Sequence, residues 1–199
     1  MMLVEQTTVP GLALPVAEFK EHLRLGSGFT DDGLQDAVLE NTLRAAIAAI
    51  EARTGKVLVQ KDYSWTLTGW RDSCRQALPL APVPAVSAVK IIDRLGIEAL
   101  VDLTRFQLER DHHRPQLWAV GGSLPTVPLA GTVEIWFTAG FGPDWGDLPA
   151  DLAHAVMLLG AHYYDNRSAA GSDGGVMPFG VATLIERYRN VRILGGGVR

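Results

Sequence analysis

Residues 149–166, PADLAHAVMLLGAHYYDN, decide how the rest of the chain is read. Leu152, Ala155, Val156, Leu159 and Tyr163 recur at intervals of three and four, so they share one side of a helix that must be buried. Asp147 stands ahead of this helix, and Pro149 falls where a first helical residue tolerates a missing N–H. Beyond Arg167 comes SAAGSDGGV, too rich in Gly, Ser and Ala to pack. PFGVATLIERYR then resumes a helical pattern with Val181, Leu184, Ile185 and Tyr188 on one side. Ser168, Gly171, Gly174 and Gly175 are therefore expected to form a mobile loop between two amphipathic helices.

Two further helices precede them. PVAEFKEHLRL (residues 15–25) carries Val16, Phe19, His22 and Leu23 at helical spacing behind a proline start. Thr30, Asp31 and Asp32 offer caps for a longer helix over 32–54. Its apolar arc holds Leu34, Val38, Leu39, Leu43, Ala45, Ala46, Ala49 and Ile50, with Glu40 and Arg44 on the remaining side in the favourable acid-before-base order. Past Gly55 the period changes to two. Val57 to Trp70 reads as a strand with Val57, Val59, Lys61, Tyr63, Trp65 and Leu67 on one face. The prolines at 79, 82 and 84 demote the next segment to an edge or an extended crossing. Short runs at 86–93, 98–103, 106–111, 116–120 and 132–140 then read as an antiparallel sheet or sandwich. The expected class is α+β: a helical core with helices near 15–25, 32–54, 149–166 and 179–189, and an inserted antiparallel β region over about 57–140. As domains, one unit of 1–199 is expected, with helical core 15–55 and 147–190, β insertion 56–146 and a flexible tail at 191–199.

Composition narrows the function. A chain of 199 residues can bury about 70% of its unfolded surface without a staple. The single cysteine, Cys74, excludes an internal disulfide and fits a reducing compartment. No apolar run reaches a membrane span, and MMLVEQTTVPG lacks the pattern of a signal peptide, so a cytoplasmic, membrane-free protein is expected. A net charge of −4 argues against holding nucleic acid tightly, since phosphate neutralisation needs clustered Lys and Arg. No chemistry is announced either. His112 and His113 are adjacent on an extended chain and point apart. His154 and His162 lie two turns apart with no ligand-rich segment to join them. TAGFGPDWG follows a strand but puts Trp145 where a dinucleotide loop needs its third glycine. Catalytic, cofactor-binding and metal residues are accordingly expected to be none, and no cofactor is expected.

The order of elements resembles the head-to-tail connector (adaptor) family of long-tailed bacteriophages and phage-derived gene transfer agents. The stretches that carry it are PVAEFKEHLRL, IEARTGKVLVQKDYSWTL, VEIWFTAGFG leading to LPADLAHAVMLLGAHYYDNR, and PFGVATLIERYR, together spanning residues 15–189. The resemblance implies a non-enzymatic subunit that forms a ring, commonly of twelve copies, between portal protein and a tail-side neck or stopper protein. DNA passes through such a ring transiently and without sequence preference. Assembly in the cytoplasm, then residence in the neck of a virion or gene-transfer-agent particle, would follow. With no self-complementary stripe such as a heptad seam, an isolated subunit is expected to be a monomer that closes on its template. Val191, Ile193 and Leu194 are an apolar run in a terminal setting, expected to meet the portal or another neck protein. Two other classes stay open. One is a small-ligand or carbohydrate-binding module using the Trp-bearing β region. The other is an enzyme whose pocket would collect Glu109, Asp111 and His112.

Overall fold

The computed structural model describes residues 1–25, 35–167 and 177–189. Ser168, Gly171, Gly174 and Gly175, the caps at 30–32, Leu34, and Val191, Ile193 and Leu194 lie outside the described residues. The chain forms two compact units, one of Met1–Ala13 with Lys56–Leu148 and one of Leu14–Gly55 with Pro149–Arg199. Helices and antiparallel sheets make an α+β fold.

In the first unit, eight strands make two sheets: β1 (Met2–Glu5), β2 (Lys61–Leu67), β3 (Arg75–Ala77), β4 (Ala85–Ile92), β5 (Glu98–Val101), β6 (Phe106–Glu109), β7 (Gln116–Ala119) and β8 (Thr132–Ala139). The five-stranded sheet runs β1-β2-β8-β4-β5 and the three-stranded one β3-β7-β6, every neighbour antiparallel. Alternation in β8 buries Val133, Ile135, Phe137 and Ala139 and leaves Glu134, Trp136 and Thr138 half-covered. Register then aligns like with like: Tyr63 stands opposite Phe137, Trp65 opposite Ile135 and Leu67 opposite Val133. Leu78, Val83 and Leu117 close this core, with Phe106 and Leu108 packed against it. Each large side chain so buried contributes about 1.5–3 kcal/mol.

Two expectations need correction here. The strand expected from Val57 to Trp70 is only Lys61–Leu67, because Val57, Leu58 and Val59 are all buried and their segment makes only isolated bridges, Lys56 to Ala81 and Val59 to Gly142, instead of a ladder. Its other face is only partly wet, since Ser64 is buried and accepts a hydrogen bond from Gln6 Nε2 at 2.8 Å. β1 has no counterpart in the sequence reading. Four residues show too little alternation to announce a strand, and their partner lies some sixty positions away.

The second unit contains α1 (Val16–His22), α2 (Asp36–Thr54), α3 (Ala150–Asp165) and α4 (Phe179–Ile185), the last continued by a 3-10 turn over Glu186–Tyr188. Leu39, Leu43, Ala46, Ile47 and Ile50 of α2 are buried, as are Leu152, Ala155, Val156, Leu159 and Gly160 of α3. Gly55 ends α2 in the left-handed conformation, φ 68°, with its N–H on Glu51 O at 2.8 Å. A Cβ at Gly160 would come within 2.9 Å of the Phe19 ring, so the glycine admits α1 against α3. The arc of α2 is narrower than expected: Val38 and Ala45 are exposed. Tyr163 is half-buried rather than fully so. Pro149 sits one position before the first helical residue, and Asp147 serves the preceding 3-10 turn, accepting the Asp144 N–H at 3.0 Å.

Candidate functional site

The connection between β6 and β7 holds the residues that chemistry would have used. Asp111 accepts the backbone N–H of His113 at 2.6 Å and of Arg114 at 2.7 Å, folding RDHHRP into a polar turn. Those bonds, from Arg114 first and His113 second, hold the Asp111 carboxyl below its ordinary range. His112 stacks on Phe141 with ring centroids 6.4 Å apart, and its carbonyl accepts a 2.6 Å hydrogen bond from Lys56 Nζ. Lys56 is almost wholly buried, and that burial pushes its ammonium down, partly opposed by the charge of Asp111.

Around these residues lies a pocket of about 210 Å³ lined by Pro82, Val83, Pro84, Arg110, Asp111, His112, Gly140 and Phe141. Gly140, φ 133°, has no room for a side chain, since a Cβ there would lie 2.5 Å from Gln60 Cα. The pocket brings Asp111 and His112 together but leaves out Glu109, whose carboxylate accepts the Trp118 indole N–H at 2.8 Å. Asp111 is spent on two backbone amides, and the His112 ring lies against Phe141. Among the described residues no group of three or more His, Cys, Asp or Glu side chains could hold a metal ion.

The other candidates are dispersed. His154 is exposed, and His162 faces Asn166 through Nδ1 at 3.2 Å. Cys74 is exposed and sits beside Ser73. Of the tryptophans, Trp65 is core, Trp70 donates to Pro125 O at 2.6 Å, Trp118 lies under Arg75, and Trp136 lies under Lys90. No helix of the described residues is long and apolar enough to cross a membrane.

What the β unit does present is apolar surface at its margins. The β4–β5 turn and β5 expose Leu95, Ile97 and Leu100, and β1 exposes Met2 and Leu3. Sequence reading missed these residues. A four-residue strand with two outward aliphatics looks the same whether or not a neighbour covers it.

No family model and no curated protein matches the chain. Solved structures do. A chain from the neck of an empty GTA particle, computed with C6 symmetry, is 54% identical, covers 98% of this chain and 99% of its own, and superimposes with a TM-score of 0.90. One from the virion of a native gene transfer agent (GTA) particle is 53% identical over the same shares, with a TM-score of 0.87. A third, from the neck of a native GTA particle computed with C12 symmetry, is 49% identical, again over 98% and 99%, with a TM-score of 0.85. With half of all residues shared over nearly the full length of both chains, this chain belongs to the family of structural neck proteins of gene transfer agent particles.

Proposed function

We propose that the chain is the adaptor of a particle neck, a subunit of a homo-oligomeric ring between portal and tail through which DNA passes. The observation that carries this is the 54% identity, end to end, with a chain of a GTA particle neck. Necks computed with six- and twelvefold symmetry support a ring, and twelve copies satisfy both symmetries. A net charge of −4 suits a channel that must release the duplex it guides. The dispersed histidines and the bonded carboxylate of Asp111 favour a structural role over catalysis.

In this reading the subunit assembles in the cytoplasm and ends in the neck, with portal on one side and a tail-side neck or stopper protein on the other. Val191, Ile193 and Leu194 dock on the portal, where burying three aliphatic side chains contributes on the order of 5 kcal/mol before ordering costs. Repetition around a ring multiplies a small net gain. Co-purification tests this: the full chain retains portal protein, while a variant lacking residues 190–199 loses it with an unchanged melting temperature. Portal that fails to bind the full chain would remove the adaptor reading. Normal capture by the truncated variant would remove the role given to the C-terminal residues.

A further inference from the structure

The last turn of a short helix ordinarily frays, because its final carbonyls lack partners within the helix. α4 has seven residues and buries two, Val181 and Ile185, too short a helix to hold its own end. The turn that follows it is nevertheless tied at every residue. Tyr188 donates its hydroxyl to Asp151 Oδ1 at 2.8 Å, and Arg187 Nε pairs with Asp151 Oδ2 at 2.8 Å. The guanidinium of Arg187 lies over the Tyr188 ring, 4.7 Å from its centroid, and donates to its hydroxyl. Arg189 pairs with Glu186 at 3.0 Å, and the Arg189 N–H closes the turn on the Glu186 carbonyl at 3.2 Å. Asp151 stands in the first turn of α3, where the helix dipole favours a carboxylate.

One carboxylate thus takes two consecutive side chains of the turn. Stability alone asks for less. Val181, Ile185 and Tyr188 already bury the inner side of this segment, and an ion pair to Arg187, whose side chain is 68% exposed, contributes little in water. What such a network does fix is geometry, since a planar carboxylate shared between a guanidinium and a phenol sets the orientation of both. Arg189 leaves the turn in extended conformation, φ −67° and ψ 130°, so the chain departs from one place and in one direction. We infer that Asp151, Arg187 and Tyr188 are positioning residues that aim residues 190–199 at the portal before contact is made. This rests on the C-terminal docking proposed above and adds what presents that segment. A segment presented from a fixed base loses less freedom when it docks, and the gain recurs in every subunit of a ring.

Titration of immobilised portal protein with the full chain tests it. The double variant Arg187→Met, Tyr188→Phe keeps both apolar bodies and removes every tie to Asp151. It should bind portal about tenfold more weakly, toward the affinity of a free peptide of residues 190–199. The single variant Arg187→Lys, which keeps a charge within reach of Asp151, should recover most of that loss. Ile50→Val removes one methyl from a buried position of α2 and lowers stability without touching these bonds, so it should leave portal binding unchanged. Unchanged binding by the double variant, or an equal loss in Ile50→Val, would overturn the inference and leave the adaptor reading standing. Portal that does not bind the full chain, or that binds as well after deletion of residues 190–199, would remove the docking reading and the inference with it.

Discussion

The two units differ in how they finish their surfaces. Among the described residues, the helical unit exposes Val38 and Phe179 as large apolar side chains, whereas the β unit exposes Met2, Leu12, Leu95, Ile97, Leu100 and Leu129, with others besides. Helices satisfy their own backbones, so the helical unit can close its outside with side-chain ties. Lys20 and Asp36 pair at 2.6 Å, and Tyr164 donates to Gln35 at 3.1 Å. Asp151 accepts Tyr188 Oη at 2.8 Å and pairs with Arg187 at 2.8 Å, with Arg187 also bonded to the Tyr188 hydroxyl. An open sheet cannot finish itself in this way, because its outer strands keep unpaired donors and acceptors. A monomer normally blunts such edges with charge. Here each edge strand carries one glutamate, Glu5 paired with Lys61 and Glu98 paired with Lys90, beside the exposed Met2 and Leu100.

Substitutions can break or sharpen this contrast. The largest effect is expected in the β core, where Phe137→Ala should cost about 3–5 kcal/mol by denaturant unfolding, since Phe137 is 1% exposed and spans three strands. In the helical unit, Gly160→Leu should cost about 1–3 kcal/mol, because the side chain must displace Phe19. Smaller again, Asp151→Asn should lose about 1–2 kcal/mol with its partly buried bonds to Tyr188 and Arg187, measured the same way. At the margins the effect is smaller still. Leu100→Ser should shift stability by less than about 0.5 kcal/mol by denaturant unfolding. A large drop in stability at Leu100 would mean that the subunit depends on that edge.

The smallest effect is with pH. Asp111 and Asp102 are held below their ordinary range, Asp111 by the N–H groups of Arg114 and His113, Asp102 by the backbone and then the side chain of Thr104. A folded pKa below the unfolded one gives stability that is present above the unfolded value and is lost as pH falls through the folded one. Stability should therefore hold from neutrality to about pH 5 and decline below it. Asp111→Asn should flatten the decline in a pH series of melts. An unchanged slope would detach the turn from the acid response.

Much of the architecture was legible because burial writes periodicity. The stripe at Leu152, Ala155, Val156 and Leu159 places α3, and alternation from Thr132 to Ala139 places β8. Asp111 reads as the end of a strand over 106–111, but it accepts the N–H groups of His113 and Arg114 and the strand ends at Glu109. What failed was nonlocal. β1 becomes a strand only because β2 offers an edge, and Val57 to Val59 abandon alternation because both sides of that segment are covered. The pocket at Arg110 to His112 gathers Pro82 to Pro84, Gly140 and Phe141 from distant stretches, a meeting that no spacing announces. The apolar margins were invisible for another reason. An exposed Leu100 and a buried Leu117 are the same letter, and their difference lies in the sheet order.

Electron microscopy of the neck of a particle built with this chain tests the central claim most directly. Twelve copies in one ring between portal and tail, around the DNA path, are predicted. A neck in which the chain is absent, or present as a single copy off the axis, would contradict the account.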